Sequence, residues 1–397
     1  MLIVASFFVN LKLQYPIAMR YFKLLLIFSI LFISQVRSLF AQKSEDEDST
    51  LIHRLANFGE LFLSKLTYER PAYFVAVYPT AGFSRRTGVE FGVMPILGWH
   101  SKDEEKRLNT LGLTAQLSSK SMIEIRADAD LFFSNGWRLN SKLEYLKVND
   151  RFWGVYSNPD IYDAWRFVSK RFKGSVEVYK LITGHWFLGM DALGGNWKNE
   201  QWTFLPSEGI TGVYGGDSFG LGPVLMMDSR DDHLSPHRGA YLKSSYKYYF
   251  NQWNSGDGFS NFITDLRVFL PISENVIAFQ GLMELSAGDV PYYLLPELGG
   301  KYRLRGLDHS RRIVDKSVWL IRSEFRSHLW WRIGTVLFIE SGGAGNRFLS
   351  DIGAPIVSGG GGLRLRIFPE ESLSVRLDGA VASGGFYGIS LSLKEAF

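Results

Sequence analysis

The residue types best suited to specific chemistry in this chain are one arginine and two glutamates. Arg305 stands in Leu304-Arg305-Gly306, inside a long loop, and the next two alternating segments carry Glu324 and Glu340. A planar guanidinium can donate to both oxygens of a carboxylate, and the pair strengthens where water is shielded. That chemistry is docking, not bond-making. Parity places Phe338 and Glu340 on one face of their segment, so a loop carried inward would meet a ring and an acid together. Breaking one partner of such a shielded pair costs about 3–5 kcal/mol, whereas an arginine in a solvated loop contributes almost nothing.

Three other constellations carry less. His233 and His237 lie beside Asp231 and Asp232, yet an HxxxH pair converges on a metal only from a helix, and Pro236 makes this stretch a turn. Gly359 to Gly362 and Gly215-Gly216 lack the Gly-Lys-Ser/Thr of a phosphate loop and read as places where strands bend or pack closely. The chain has seven His and no Cys, which removes thiolate ligands and cysteine nucleophiles. No His has an evident nucleophile and orienting acid. The expectation is a non-enzymatic protein that needs no metal and no cofactor.

The elements that must position these residues are strands. From Ala72 onward the apolar period is two. Ile123, Ile125, Ala127, Ala129 and Leu131 alternate with Glu124, Arg126, Asp128 and Asp130. Val375 and Leu377 alternate with Ser374, Arg376 and Asp378, and Trp319, Ile321 and Phe325 with Arg322, Glu324 and Arg326. Successive side chains on a strand point to opposite faces, so one face is apolar and the other densely charged. About sixteen such segments, each about 10–14 residues long, are too long for ordinary strands and suit tilted membrane spans. Closing the sheet removes its edges, turns the charges to a wet lumen and sets the apolar face against lipid. A cylinder of that strand number is wide enough to hold a channel or a loop. The fold class expected is all-β, a 16-stranded antiparallel outer-membrane barrel.

Composition agrees. Aromatics make up 15% of 397 residues and there are 40 Gly, which fits many twisted strands with aromatic belts. Mean hydropathy is −0.03, too polar for a helical membrane bundle. The later links alternate: 251–258, 288–315 and 343–357 are long, while 271–273, 330–331 and 369–371 are short. Long loops outside and tight turns in the periplasm are the habit of outer-membrane barrels. The early links follow it less cleanly, with 84–87 and 119–120 short and 100–107 long.

Residues 1–41 differ from the rest. A basic start, the apolar run Leu24 to Ile33 and the small Ala41 read as a secretory signal, the run being shorter than the roughly 20 residues a spanning helix needs. The whole chain has 44 Lys+Arg against 40 Asp+Glu, and losing Lys12, Arg20, Lys23 and Arg37 leaves 40 against 40. The pI of about 9.0 is therefore no sign of nucleic acid. Residues 42–71 read as an acidic leader and a short amphipathic helix, with Leu51, Leu55, Phe58, Phe62 and Leu66 on one face. Residues 72–397 are the barrel. Its last segment sets Tyr387, Ile389, Leu391, Leu393 and Phe397 on one face and Gly388 on the other. An alternating strand with a final aromatic resembles the assembly signal of outer-membrane barrels.

Three stretches together resemble the Omp85 superfamily, the BamA/TamA-type surface-antigen barrels. Asp228, Arg230 and Asp231, followed by Pro236 and Gly239, are similar to that family's Asp-x-Arg-Asp…Pro-x-x-Gly strand–turn–strand. Leu304-Arg305-Gly306-Leu307 resembles its Val-Arg-Gly-Phe/Tyr loop. Glu324 with Arg326, then Phe338-Ile339-Glu340-Ser341-Gly342, resemble its Glu-x-Arg and Phe-x-Asp-x-Gly. The resemblance implies that the loop after strand eleven enters the lumen and that Arg305 docks on the strand-thirteen acid. It makes the Asp228–Gly239 turn structural. Leu307 stands where the family carries an aromatic and Glu340 where it carries Asp, which puts the docking geometry in question. The larger members carry periplasmic POTRA modules, and residues 43–71 leave room for one helix only.

The function this implies is assistance in inserting or translocating proteins, or lipids, at the bacterial outer membrane through a lateral seam between the first and last strands. The rival is a passive channel or structural barrel. Lipid is the expected surroundings; client outer-membrane proteins and a periplasmic protein for the 50–66 helix are the partners left open.

Overall fold

The alternation resolves into sixteen long antiparallel strands. They are β1 (Tyr73–Ser84), β2 (Gly88–His100), β3 (Leu108–Ser118), β4 (Ile123–Phe133), β5 (Trp137–Phe152), β6 (Trp165–Thr183), β7 (Trp186–Glu200) and β8 (Gly215–Asp228). The second half comprises β9 (Gly239–Tyr249), β10 (Phe259–Ile272), β11 (Asn275–Gly288), β12 (Ser317–Trp330), β13 (Ile333–Arg347), β14 (Ile356–Phe368), β15 (Leu373–Ala382) and β16 (Phe386–Leu393). The computed structural model describes residues 67–397 apart from 71, 101–107, 156–163, 204–209, 234, 251–257, 331, 349–350, 369–372 and 394–396. The 1–41 signal and the leader with its 50–66 helix lie outside the described residues.

Each strand pairs with its neighbours in sequence, and β1 meets β16 to close a 16-stranded antiparallel barrel. The apolar alternates face outward: Val89, Phe91, Leu113, Ile125, Phe172, Leu266, Ile321, Leu363 and Ile389 are all exposed. Their neighbours face a lumen where Glu90, Glu144, Asp191, Arg322, Glu340, Arg376 and Asp378 are buried. Such burial of charge is tolerable only with partners, and the lumen wall is accordingly laced with ion pairs.

Three features depart from the sequence reading. The sheet begins before β1, because Thr67–Arg70 pairs antiparallel with Tyr73–Ala76. Strands β5, β6 and β7 are 16, 19 and 15 residues long, so their outer ends extend past the expected links. The last strand spans Phe386–Leu393 among the described residues, and Phe397 is not on the outward face with Tyr387 and Ile389. Its ring is buried at 7% exposure, against Phe269 and beneath Arg322 and Arg326. Parity holds only while pairing continues, and an aromatic ring gains more between two guanidinium faces and an apolar pocket than as one more lipid contact.

The long connection 289–316 enters the lumen. A helical turn at Tyr292–Leu294 and a two-residue ladder, Glu297–Leu298 with Ile313–Val314, give it internal structure. Tyr292 and Tyr293 wedge among Phe152, Phe167 and Trp197, with Tyr293 stacked on Trp197 at 4.8 Å. Leu298, Leu304, Leu307 and Ile313 bury against Val318, Leu320 and Ile356. These two apolar anchors hold the loop so that its polar tip reaches the far wall.

Candidate functional site

Leu304 adopts φ +68° and is fully buried, an uncommon left-handed conformation for a leucine. Packing of its side chain holds the turn, and the turn aims Arg305 at the wall. Arg305 Nε donates to Glu340 Oε1 at 2.8 Å, and its backbone N–H donates to Glu340 Oε2 at 2.6 Å. Nη1 donates to Asp378 Oδ2 at 3.1 Å. Nη2 lies 2.7 Å from Glu324 Oε1, an ion contact without hydrogen-bond alignment. The guanidinium carbon sits 3.4 Å from the Phe338 ring centroid, adding a cation–π contact. Burial opposes the Arg305 charge, and Glu324, Glu340 and Asp378 outweigh it, so its pKa is raised.

Arg305 is the centre of a wider cluster. Arg326 pairs with Glu324 at 2.9 Å, Arg364 with Asp378 at 2.6 Å, and Arg376 with Asp378 at 3.3 Å. Arg322 lies 3.7 Å from Glu340 and donates to the loop carbonyl of Tyr302 at 3.0 Å. Arg376 donates to the loop carbonyl of Lys301 at 3.0 Å and to Ser392 of β16 at 3.1 Å. The sequence reading brought forward Arg305, Gly306, Phe338, Glu340 and Glu324, and all five meet here. It did not reach Asp378. Its reading of Gly359 to Gly362 as a place of close packing is met at two positions: an added Cβ at Gly360 would stand 2.7 Å from Phe338, and one at Gly362 would overlap Asp378. Arg376 and Asp378 were visible as charges on a polar face, but alternation cannot say which strand a loop will touch.

Gly306 places the loop's next contacts. Its N–H donates to Ser358 Oγ at 3.1 Å, and a Cβ would stand 2.6 Å from Ala382. Gly388 of β16 lies directly under the Arg305 carbonyl, where a Cβ would overlap it. On the other side of the β1–β16 junction, Asp308 lies 3.5 Å from Arg85, Ser310 accepts from Arg86 at 2.7 Å, and Lys301 lies 3.3 Å from Glu90. His309 is buried 3.2 Å from Asp150, which also accepts from Arg86 at 2.7 Å. The loop thus touches both sides of the seam from within.

The seam itself is thin. Phe83 opposite Leu391 is its one registered position among the described residues. Neighbouring ladders run unbroken over Phe74–Ser84 with β2 and Phe386–Ala382 through Leu393–Val375 with β15. Pro79 pairs with Val93 and Val77 with Pro95 in the β1–β2 register. A proline keeps such a register only in a pair that exchanges no hydrogen bond, with its nitrogen facing away from the partner strand. Pro79 therefore turns a donorless nitrogen to the seam. Pro95 turns one toward β3, where Met94 and Pro95 have no registered partner. The Thr67–Arg70 segment covers β1 only over Tyr73–Ala76.

The two remaining groups of sequence candidates lie apart from the cluster. Arg230 Nε and Nη2 each donate to Asp228 at 2.8 Å, and the guanidinium stacks 4.5 Å over Tyr241. Asp231 Oδ1 accepts from the backbone N–H groups of Asp232, His237 and Arg238. Burial pushes the Asp231 pKa up, and the Arg238 and His237 amides bring it below the ordinary value. Pro236 is buried in this turn, and Gly239, at φ +106°, opens β9 where a Cβ would overlap the Ser229 carbonyl. On β16, Tyr387 faces outward and Gly388 inward, Leu391 is half-buried at the seam, and Leu393 ends the strand. Phe397 lies inside, and Arg326 donates to its carbonyl at 3.1 Å.

No family model matches this chain, and no curated protein sequence matches it. Solved structures do. BamA from Haemophilus ducreyi, in a crystal structure lacking POTRA domains 1–3, matches with a TM-score of 0.55 at 13% identity, over 80% of this chain and 70% of that one. CdiB from Escherichia coli matches at 0.55 and 10% identity, over 82% and 63%. CdiB from Acinetobacter baumannii matches at 0.52 and 10%, over 82% and 60%. The chain thus spans less than two thirds of either CdiB.

Proposed function

From the Omp85-type barrel fold that these likenesses establish, we propose that the protein assists insertion or translocation of polypeptides at the bacterial outer membrane. Its working part is the seam between β1 and β16. The observation that carries this reading is the single registered position at that junction among the described residues, on a strand whose Pro79 has no N–H to give. A strand edge held so lightly can part and offer backbone groups to another chain. The loop from Lys301 to Arg312 braces the seam from inside, since it grips β14–β16 through Arg305 and Gly306 and the β1–β2 turn through Asp308 and Ser310. Opening then means releasing one of those two grips. No bond-making step and no cofactor is invoked.

The test uses the absence of native cysteine. Phe83→Cys with Leu391→Cys sets two thiols at a directly opposed pair, within reach of a disulfide. Oxidation should leave a folded barrel that no longer sustains the levels of other outer-membrane proteins in a depletion strain, and reductant should restore them. If the oxidised protein works normally, the seam is only where the cylinder closes. The passive-channel reading then moves ahead, and it has its own observation: a polar cavity of about 430 Å³ between the loop and strands β1–β6, lined by Glu124, Arg126, Lys142 and Glu144. Ion conductance that persists after deletion of residues 301–312 would favour that reading.

A further inference from the structure

The outward wall of the barrel carries few charges, and most of them stand on three adjacent strands; next to these, Asp217 of β8 faces outward and accepts from Asn196 at 2.7 Å. Within β1–β4 and β9–β12 no outward alternate is charged. On β5, β6 and β7 the outward alternates include Lys147, Arg151, Arg166, Lys170 and Lys198, with Glu200 as their one acid. These cations are not scattered. Lys147 stands directly opposite Lys170, Lys170 opposite Lys198, and Arg151 opposite Arg166. Like charges directly opposed on a sheet repel, and these three pairs, two in one row and the third above the Asn149–Val168 pair, are a local cost to the fold. Glu200 bridges Lys170 at 2.8 Å and Lys198 at 2.9 Å. Lys147, Arg151 and Arg166 have no carboxylate partner among the described residues.

Their height on the wall is defined by the row beneath. Tyr145 and Phe172 face each other and are exposed, and the outward alternates Leu143 and Val176 continue the apolar band below them. The lysine row is one outward step above that aromatic pair, about 7 Å along the strands. Aromatic rings of this kind mark the interface level of a barrel, so the lysines stand where lipid headgroups begin. This end of the barrel also carries the long loops, including 289–316, which makes it the outer face.

We propose that the outward face of β5–β7 above Tyr145 and Phe172 binds phosphorylated lipid of the outer leaflet. Each phosphate is bridged by cations of neighbouring strands: Lys147 with Lys170, and Arg151 with Arg166. An anion between them turns a repulsive rung into a bridged one, which accounts for the paired placement of the charges. The inference rests on the barrel standing in a membrane and not on the seam, so a seam lock that leaves function intact would not touch it.

The full-length protein, folded in a zwitterionic detergent, is incubated with diphosphoryl lipid A, and lipid retained through purification is counted by native mass spectrometry. The unaltered protein should retain diphosphoryl lipid A and not its dephosphorylated form, and millimolar inorganic phosphate should fail to displace it. Combined Lys147→Gln, Arg151→Gln, Arg166→Gln and Lys170→Gln should lower retention on the order of a hundredfold. Lys180→Gln, at the opposite end of β6, should change nothing. Equal retention of the dephosphorylated lipid, displacement by free phosphate, or full retention by the folded fourfold variant would each overturn the proposal. The comparison of the two lipids needs no variant, so it stands even if the fourfold variant does not fold.

Discussion

The wall from β12 to β15 and the junction of β1 with β16 are made of the same alternating strands, yet they are held by different means. On the wall, ladders run without a gap from Ile333–Leu365 to Gly342–Ile356, and a buried ion cluster of Arg305, Glu324, Glu340 and Asp378 ties the loop across three strands. At the junction, Phe83 and Leu391 stand alone in register among the described residues, and Pro79 removes a donor midway along the edge. The contrast teaches where this barrel concentrates its order. Charge burial costs desolvation, and here it falls on the side that the ladders already hold, while the other side is left to one loop's reach.

Breaking the strong side should have the larger effect. Arg305→Ala takes from Glu324, Glu340 and Asp378 the one cation they share, leaving each only its wall arginines, and the barrel should lose about 3–5 kcal/mol, seen as loss of heat-resistant migration on a gel. Arg305→Lys should recover part of it, since a point charge cannot serve Glu340, Asp378 and Glu324 together. Unchanged heat resistance in Arg305→Ala would remove the brace from the account. Next in size is Gly388→Ala, which puts a methyl group into the Arg305 carbonyl from the β16 side. Overpacking there should cost about 1–3 kcal/mol and make the loop open to protease, coupling the two regions. A variant with a protected loop would show that β16 moves independently of it.

Much of this contrast is legible in the sequence, and the part that is not has physical reasons. Alternation over Trp319–Phe325 and Val375–Leu377 reports strands and faces directly, because side-chain direction has period two. Glu324 and Glu340 can be placed on the lumen side from parity alone. Asp378 cannot be joined to Arg305 that way, since parity says nothing about which of five later strands an incoming loop will meet. The Thr67–Arg70 strand is four residues long and follows a helical pattern, so no period emerges from it. Phe397 misleads for the opposite reason. It shares the parity of Tyr387, Ile389, Leu391 and Leu393, with Glu395 breaking the apolar face, and parity alone does not tell that its ring is buried inside. Pro79 and Pro95 are plain in the sequence, but their meaning depends on a register that pairs each with a valine of the other strand.

A third change sharpens the comparison from the weak side. Pro79→Val supplies an N–H toward the seam, and a net hydrogen bond is worth about 0.5–1.5 kcal/mol. The barrel should become slightly more heat-resistant while its support of other outer-membrane proteins falls. That opposite movement of stability and activity is what a seam built to open requires. Greater stability with activity unchanged would mean that the missing donor is incidental.

The smallest effect concerns the loop's grip on the β1–β2 turn. His309 Nδ1 accepts the Arg311 N–H at 3.3 Å, so the docked ring has no room for a second proton. Burial lowers its pKa although Asp150 lies 3.2 Å from Nε2, and Arg86 shares that carboxylate from the other side. Asp308 adds attraction for a charged ring, and Trp153 packs edge-on at 4.8 Å. A base whose docked pKa is depressed takes up a proton more readily when released. Its contribution to docking is therefore complete above the ordinary histidine value, about 6.5, and is lost as pH falls below it. The loss is at most about 1.4 kcal/mol per pH unit. Trypsin cleavage after Arg311 or Arg312 in the folded barrel should rise between pH 7.5 and 5.5, after correction for the enzyme's own pH profile, and His309→Gln should flatten that rise. A rise of the same slope in His309→Gln would assign the titration to another group. No rise in the unaltered protein would mean that the grip on Arg85 and Arg86 holds without the ring, and that the weak side of the barrel is stronger than its ladder implies.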